Sequence, residues 1–256
     1  MPPPGLRIAA RGVTDTGRRR DHNEDALLLD PELGLFVVAD GMGGHAGGGT
    51  ASSLAVDTIR AHLREARGAD PGAFEAPGEP GGSRLPGLVR EAVEAACRSI
   101  FRAAQDDPSL QGMGTTVTAA LFAGRSAFLA HVGDSRLYLA RGDRIVQVSE
   151  DHSLVNEQFK SGAITAEEAR QSRFRNIITR SVGFEAQVLV DVAEVEVEPG
   201  DVAVLCSDGL SNLVAEEEIM DVATREPLES APEKLVDLAN ERGGDDNITV
   251  IVVRVG

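Results

Sequence analysis

What most constrains this chain is a set of short apolar runs, each with an aspartate at one end. Leu33 to Ala39 (LGLFVVA) runs into Asp40-Gly41, and Ala127 to Val132 (AFLAHV) runs into Gly133-Asp134. Val202 to Cys206 (VAVLC) runs into Ser207-Asp208-Gly209, and Ile248 to Val255 (ITVIVVRV) follows Asp245-Asp246-Asn247. Runs of this length bounded by turn residues read as strands. Thr115 to Phe122 reads the same way. Arg136 to Ala140 and Arg144 to Val148 flank a hairpin-type turn at Arg141-Gly142-Asp143, and Val188 to Val197 alternates apolar and acidic residues. Short strands joined by tight turns favour antiparallel sheets.

Helical periodicity is confined to a few segments. Ala51 to Arg67 carries Leu54, Ala55, Ile59 and Leu63 on one stripe, and Leu88 to Gln105 carries Val89, Ala92, Val93, Ala96, Ile100 and Phe101 at helical spacing. The Gly- and Pro-rich stretch from Gly68 to Gly87 reads as a long flexible connection between two packed helices. Thr165-x-x-Glu168 is a capping box, and Glu216 to Ala223 and Pro232 to Glu241 are two further helices. Strands before and after a helical pair, without βαβ alternation, predict an α+β layered fold, and one domain over the 256 residues fits better than two.

Composition narrows the function. The chain carries 41 acidic against 25 basic residues, a formal charge of −16. That disfavours nucleic acid and anionic membranes as partners. No 18-residue apolar stretch and no secretory leader are visible, so the chain reads as cytoplasmic with no membrane role. Cys97 and Cys206 lie far apart in apolar surroundings, as small buried hydrophobes do.

The chemistry lies with the aspartates. Strand ends at one sheet edge bring such groups together although they are distant in sequence. Crowded carboxylates repel unless a cation or proton neutralises them. Oxygen donors without Cys suit Mg²⁺ or Mn²⁺. Taken singly, each Asp-Gly also reads as an ordinary turn. Arg20, four residues before Glu24-Asp25, has the bidentate fork that grips a phosphate, and a solvated charged turn is the other reading of that segment. The Gly41 to Gly49 stretch lacks the Gly-Lys-Ser/Thr ending of a phosphate loop. Within it His45 reads either as a general acid or as a loop histidine bonded to backbone.

Eight segments then match one family in order: TDTGRRRDHNED (Thr14–Asp25), LFVVADGMGGHAGG (Leu35–Gly48), GMGTTVTAAL (Gly112–Leu121), AHVGDSRLYL (Ala130–Leu139), DHSLVNE (Asp151–Glu157), RNIITRSVG (Arg175–Gly183), LCSDGLSNLV (Leu205–Val214) and GGDDNITVIVV (Gly243–Val253). The chain resembles the bacterial metal-dependent protein serine/threonine phosphatases of type 2C (PPM). The resemblance implies a four-layer αββα sandwich, with two antiparallel β-sheets flanked by helix pairs, and a single catalytic domain over 1–256 with a flap at about 151–180. It implies two Mn²⁺ or Mg²⁺ ions per active site, with Asp40 bridging them, Gly41 adding its carbonyl, Asp208 and Asp246 completing the carboxylates, and Glu24 and Asp25 holding metal-bound waters. Asp134 matches a ligand of a third, weaker metal. Arg20 would bind the substrate phosphate, and His45 takes the place of the proposed general acid. The implied reaction is hydrolysis of phosphoserine and phosphothreonine by direct attack of a metal-bridging water, without a phospho-enzyme. Phosphorylated proteins, among them Ser/Thr kinases, are the implied partners, and the family leans monomeric. Asn212 departs from the pattern, because some members carry an Asp there. A non-catalytic relative that binds metal or a partner is the competing reading; an acidic Ca²⁺ module would need clustered Asp-x-Asp loops, which the chain lacks.

Overall fold

The computed structural model describes residues 7–43, 47–75 and 83–256. In chain order the elements are β1 (Ile8–Asp15), β2 (Asp25–Asp30), β3 (Leu35–Met42), α1 (Gly47–Ala69), α2 (Gly72–Glu75), α3 (Leu85–Asp106), a 3₁₀ turn (Pro108–Leu110), β4 (Gly114–Thr115), β5 (Val117–Ala123), β6 (Ser126–Val132), β7 (Arg136–Arg141), β8 (Arg144–Gln147), α4 (Leu154–Lys160), α5 (Ala166–Gln171), β9 (Asp191–Glu196), β10 (Val202–Cys206), α6 (Asp208–Ser211), α7 (Glu216–Arg225), α8 (Ala231–Glu241) and β11 (Ile248–Val255). One sheet has the order β1-β11-β10-β7-β8 and the other β2-β3-β5-β6-β9, with β4 joined to β3. Every pairing is antiparallel.

The central strands are apolar on both faces because both faces are covered. In β3, Leu35, Val37 and Ala39 face the core under α1 and α3, while Phe36 and Val38 enter a core between the sheets. In β11, Ile248, Val250 and Val252 pack with α7 and α8 residues, and Ile251, Val253 and Val255 face the other sheet. Successive strand side chains point to opposite faces, so three stacked cores make four layers, helix–sheet–sheet–helix. Phe36 and Phe122 meet edge to face at 5.7 Å in the middle core. In the outer core Ala55, Ile59 and Leu63 of α1 and Val89, Ala96 and Ile100 of α3 are fully or almost fully buried. Each such Ile or Leu contributes about 1.5–3 kcal/mol by leaving water.

The β10 and β11 runs match their sequence-predicted bounds, and the Thr165 capping box opens α5 as expected. Three expectations need correction. The Gly68 to Gly87 connection is shorter than it reads, since α1 continues to Ala69, α2 occupies 72–75 and α3 starts at Leu85. Phe74 is the reason for α2: it is buried against the helical core, while Asp70 accepts from the Ala73 N–H. Residues 76–82 of that stretch lie outside the described residues. Next, α1 begins at Gly47, in a run that reads as a turn by propensity. Finally, β1 and β2 were not read as strands at all. Both lie at sheet edges, where half-buried residues mute the pattern.

The topology delivers one shared edge. Asp25 pairs with Asp40 across β2 and β3, and the C-terminus of β10 lies beside the N-terminus of β11. Hydrogen bonds from Ser207 and Thr249 to Asp25 join the two sheets at that same end.

Candidate active site

Backbone hydrogen bonds fix Asp40 before its carboxylate does anything. Its N–H donates to Thr116 Oγ1 at 2.9 Å, and its carbonyl accepts from the Thr115 hydroxyl at 2.9 Å and the Thr116 N–H at 2.8 Å. Thr116 is held in turn by Ser135 at 2.8 Å. Gly41 follows where no side chain fits: a Cβ there would lie 2.1 Å from the Gly48 carbonyl oxygen and 2.4 Å from that of Glu24. This close approach fastens the start of α1 to the Glu24 loop. Ser52 adds a hydroxyl bond to the Glu24 carbonyl at 2.6 Å.

The other sheet supplies Asp208, with one residue between it and the end of β10, and Asp246, with one residue between it and the start of β11. The Arg20 guanidinium donates to Asp246 Oδ2 at 2.7 Å, and Asn247 N–H donates to Asp246 Oδ1 at 2.8 Å. Asp25 Oδ2 accepts from Ser207 at 2.8 Å and Thr249 at 2.6 Å. Asn212, the departure from the family pattern, donates to Asp208 Oδ2 at 3.0 Å.

Burial and crowding govern the charges. Loss of water pushes the Asp25 carboxyl up to about 7, with Asp208 and Asp246 adding repulsion against its two hydroxyl donors. Burial also raises Asp208 to about 6, and Asp134 to about 8 with repulsion from Asp208. Asp40 stands well above the ordinary carboxylate range, through burial and the fields of Asp25, Asp208, Asp134 and Asp246. Arg20 is raised by its Asp246 bond and also feels Asp40 and Asp208. One edge of the molecule therefore gathers Asp25, Asp40, Asp134, Asp208, Asp246 and Arg20 within one another's fields.

Among the described residues no three His, Cys, Asp or Glu side chains stand arranged around a single ion position. The Arg20–Asp246 ion pair relieves part of the repulsion among the carboxylates. Among the described residues three oxygens here are buried without a hydrogen-bond partner: Glu24 Oε1, Asp25 Oδ1 and Asp208 Oδ1. Buried acceptors left bare are costly. An all-oxygen set with bare acceptors and mutual repulsion fits a hard divalent cation.

Of the sequence-predicted residues, Arg20, Glu24, Asp25, Asp40, Gly41, Asp134, Asp208 and Asp246 all come to this edge. His45 lies outside the described residues. The residues that hold the carboxylates were missed: Thr116, Ser207, Thr249 and Asn247. Asn247 is the clearest omission, since it stands beside Asp246 in a motif already singled out.

A family model described as protein phosphatase 2C matches residues 15–250. The serine/threonine phosphatase stp of Listeria welshimeri is 36% identical over 244 residues, covering 94% of this chain and 93% of that protein. The serine/threonine protein phosphatase PstP of Mycobacterium tuberculosis is 39% identical over 251 residues, 98% of this chain but 45% of that longer protein. A crystal structure of the PstP catalytic domain with two manganese ions superposes with a TM-score of 0.84 at 35% identity, covering 98% of this chain and 99% of that one. The chain belongs to the protein phosphatase 2C family and is thereby a protein serine/threonine phosphatase.

Proposed function

We propose that this chain hydrolyses phosphoserine and phosphothreonine in phosphoproteins, Ser/Thr kinases among them, by direct attack of water and without a phospho-enzyme. The observation that carries the reading is the row of buried carboxylates with bare oxygens beside Arg20. In this reading Asp40, the Gly41 carbonyl, Asp208 and Asp246 hold two divalent ions, Mn²⁺ or Mg²⁺, with Glu24 and Asp25 supporting their waters and Asp134 serving a weaker third ion. When bound, such ions lower the pKa of water and neutralise phosphate charge.

The chain's own residues do the rest. Arg20, about half exposed, is free to turn one edge of its guanidinium to a phosphate while Asp246 holds the other. That fork aligns the ester and stabilises charge on the equatorial oxygens as it develops. Asp25, held by two hydroxyls, is fixed in rotamer and cannot swing toward Arg20. His45 is the proposed proton donor to the leaving alkoxide.

Residues 1–256 form one catalytic domain in this reading, monomeric and cytoplasmic, with 151–180 as a flap. Two features anchor the start of that segment to the sandwich. Asp151 is gripped by Arg136 at 2.6–3.1 Å, and the Gly133 N–H donates to His152 Nδ1 at 3.0 Å. Both thiols are free and buried, and no helix among the described residues is long and apolar enough to cross a membrane.

The test is turnover of an aryl phosphate and a phosphothreonine peptide with Mn²⁺ and with excess EDTA. Metal-dependent turnover of both, lost in Asp208→Ala, is the expected result. No turnover by a folded, Mn²⁺-supplied protein would favour a non-catalytic metal- or partner-binding role.

A further inference from the structure

A groove of about 770 Å³ opens beside the carboxylate edge. One wall is His22, Asn23 and Glu24; the other is the stripe of α1 that runs from Gly49 past Leu54 to Asp57. Its inner end is Glu24, whose carbonyl packs on Gly41, so the groove adjoins the carboxylate edge beside Asp40. Its outer end is the exposed carboxylate of Asp57. No Lys or Arg among the described residues lines it. Arg60, the next turn along, is committed to Asp30 at 3.1 Å and does not answer Asp57.

Length and charge together define the occupant. Gly49 to Asp57 is eight steps along the helix, about 12 Å at 1.5 Å each. An extended peptide covers that in three to four residues at about 3.3 Å per residue. Leu54, half-buried against the helical core, gives the floor an apolar patch for an aliphatic stem.

We propose that this groove is a specificity subsite for the substrate chain, and that it seats a basic residue three or four positions from the phosphorylated one, with Asp57 as its ion-pair partner. Asp57 thereby determines specificity while standing outside the catalytic machinery. The inference rests on the phosphatase reading above.

The test uses phosphothreonine peptides that differ only in carrying Arg or Glu at the third and fourth positions, on each side in turn. With Mn²⁺, kcat/KM should favour Arg on one side by about two- to fivefold, the scale of an exposed ion pair, and less at high salt. Asp57→Asn should erase that preference and Asp57→Lys should invert it. Turnover of a small aryl phosphate, which does not reach Asp57, should be unchanged in both variants. If wild type cleaves the aryl phosphate but ignores the peptide charge, or if the preference survives both substitutions, the subsite is overturned and the phosphatase reading stands. If wild type cleaves neither substrate, both readings fall.

Discussion

Asn247 sits between the last strand and the loop that carries Arg20 and Glu24. Its amide donates to the carbonyls of Thr16 and His22, each at 2.9 Å, and its Oδ1 accepts from the Glu24 N–H at 2.8 Å. The side chain is buried, so every one of these groups would be left without a partner if it were removed. At roughly 1 kcal/mol per hydrogen bond plus exposed desolvation costs, we predict that Asn247→Ala destabilises the fold by about 2–4 kcal/mol. We also predict at least a tenfold loss of aryl phosphate turnover at saturating Mn²⁺, because Arg20 and Glu24 lose their fixed loop. Asn247→Asp keeps the acceptor but loses both donors and turns a buried carboxylate toward the Thr16 and His22 carbonyls, so it should cost at least as much as alanine. Denaturant unfolding and initial rates on the same samples check both parts. An alanine variant with wild-type rates would show that the loop is positioned by something else.

At the scale of elements, Asp30 explains how β2, an edge strand, is locked to α1. The side chain is almost fully buried and accepts from Arg60 at 3.1 Å, Arg64 at 2.9 Å and the Leu33 N–H at 3.2 Å. Burial alone would raise its pKa, but the bonds from Arg64, Leu33 and Arg60 outweigh it and hold the carboxyl below its ordinary value. The sign follows from linkage. The unfolded carboxyl protonates near its usual value of about 3.9, the folded one only at lower pH. The stabilisation is therefore complete above about pH 5 and fades as pH falls through the folded value. We predict that Asp30→Asn costs about 1–3 kcal/mol at pH 7, less than a fully buried pair because both arginines are half exposed. The gap between wild type and variant should narrow on acidification below about pH 4, which urea melts across pH would reveal; a gap constant with pH would remove the charge from the explanation. The same contrast explains what the sequence discloses. Strands buried on both faces, such as VAVLC and ITVIVVRV, show their bounds because all but Thr249 and Arg254 of their residues are apolar. α1 hides its first turn in Gly47–Gly49, where glycine disfavours helix but a Cβ at Gly48 would stand 2.8 Å from the Glu24 carboxyl carbon. The aspartates are legible as a set: each alone suits a turn, but four of them at the ends of apolar runs ask for a common neutralising partner. Ser207, Thr249 and Asn247 are not legible, since a hydroxyl or amide beside a strand is ordinary until the opposite sheet is known.

Across the whole molecule, the two sheets are brought together at an edge where like charges collect. Burial and repulsion raise Asp25, Asp40, Asp134 and Asp208 together, so their ionised forms work against the folded state. A divalent cation that binds only the folded chain reverses that penalty by mass action, about 2.7 kcal/mol at a hundredfold excess over Kd. For a chain of this size each kcal/mol moves Tm by roughly 2–4 °C, so we predict that Mn²⁺ raises Tm over the EDTA-treated protein by about 5–10 °C. Removing one carboxylate separates metal binding from simple charge relief. In EDTA, Asp208→Asn should melt no lower than wild type, since the amide keeps the volume and sheds one repelling charge. With Mn²⁺ the same variant should gain little, because a bare oxygen and a charge needed by the ion are gone. A variant that melts well below wild type in EDTA would mean that Asp208 holds the fold together. One that keeps the full Mn²⁺ shift would mean that the ion binds elsewhere, and the assignment of this edge as the metal centre would fail with it.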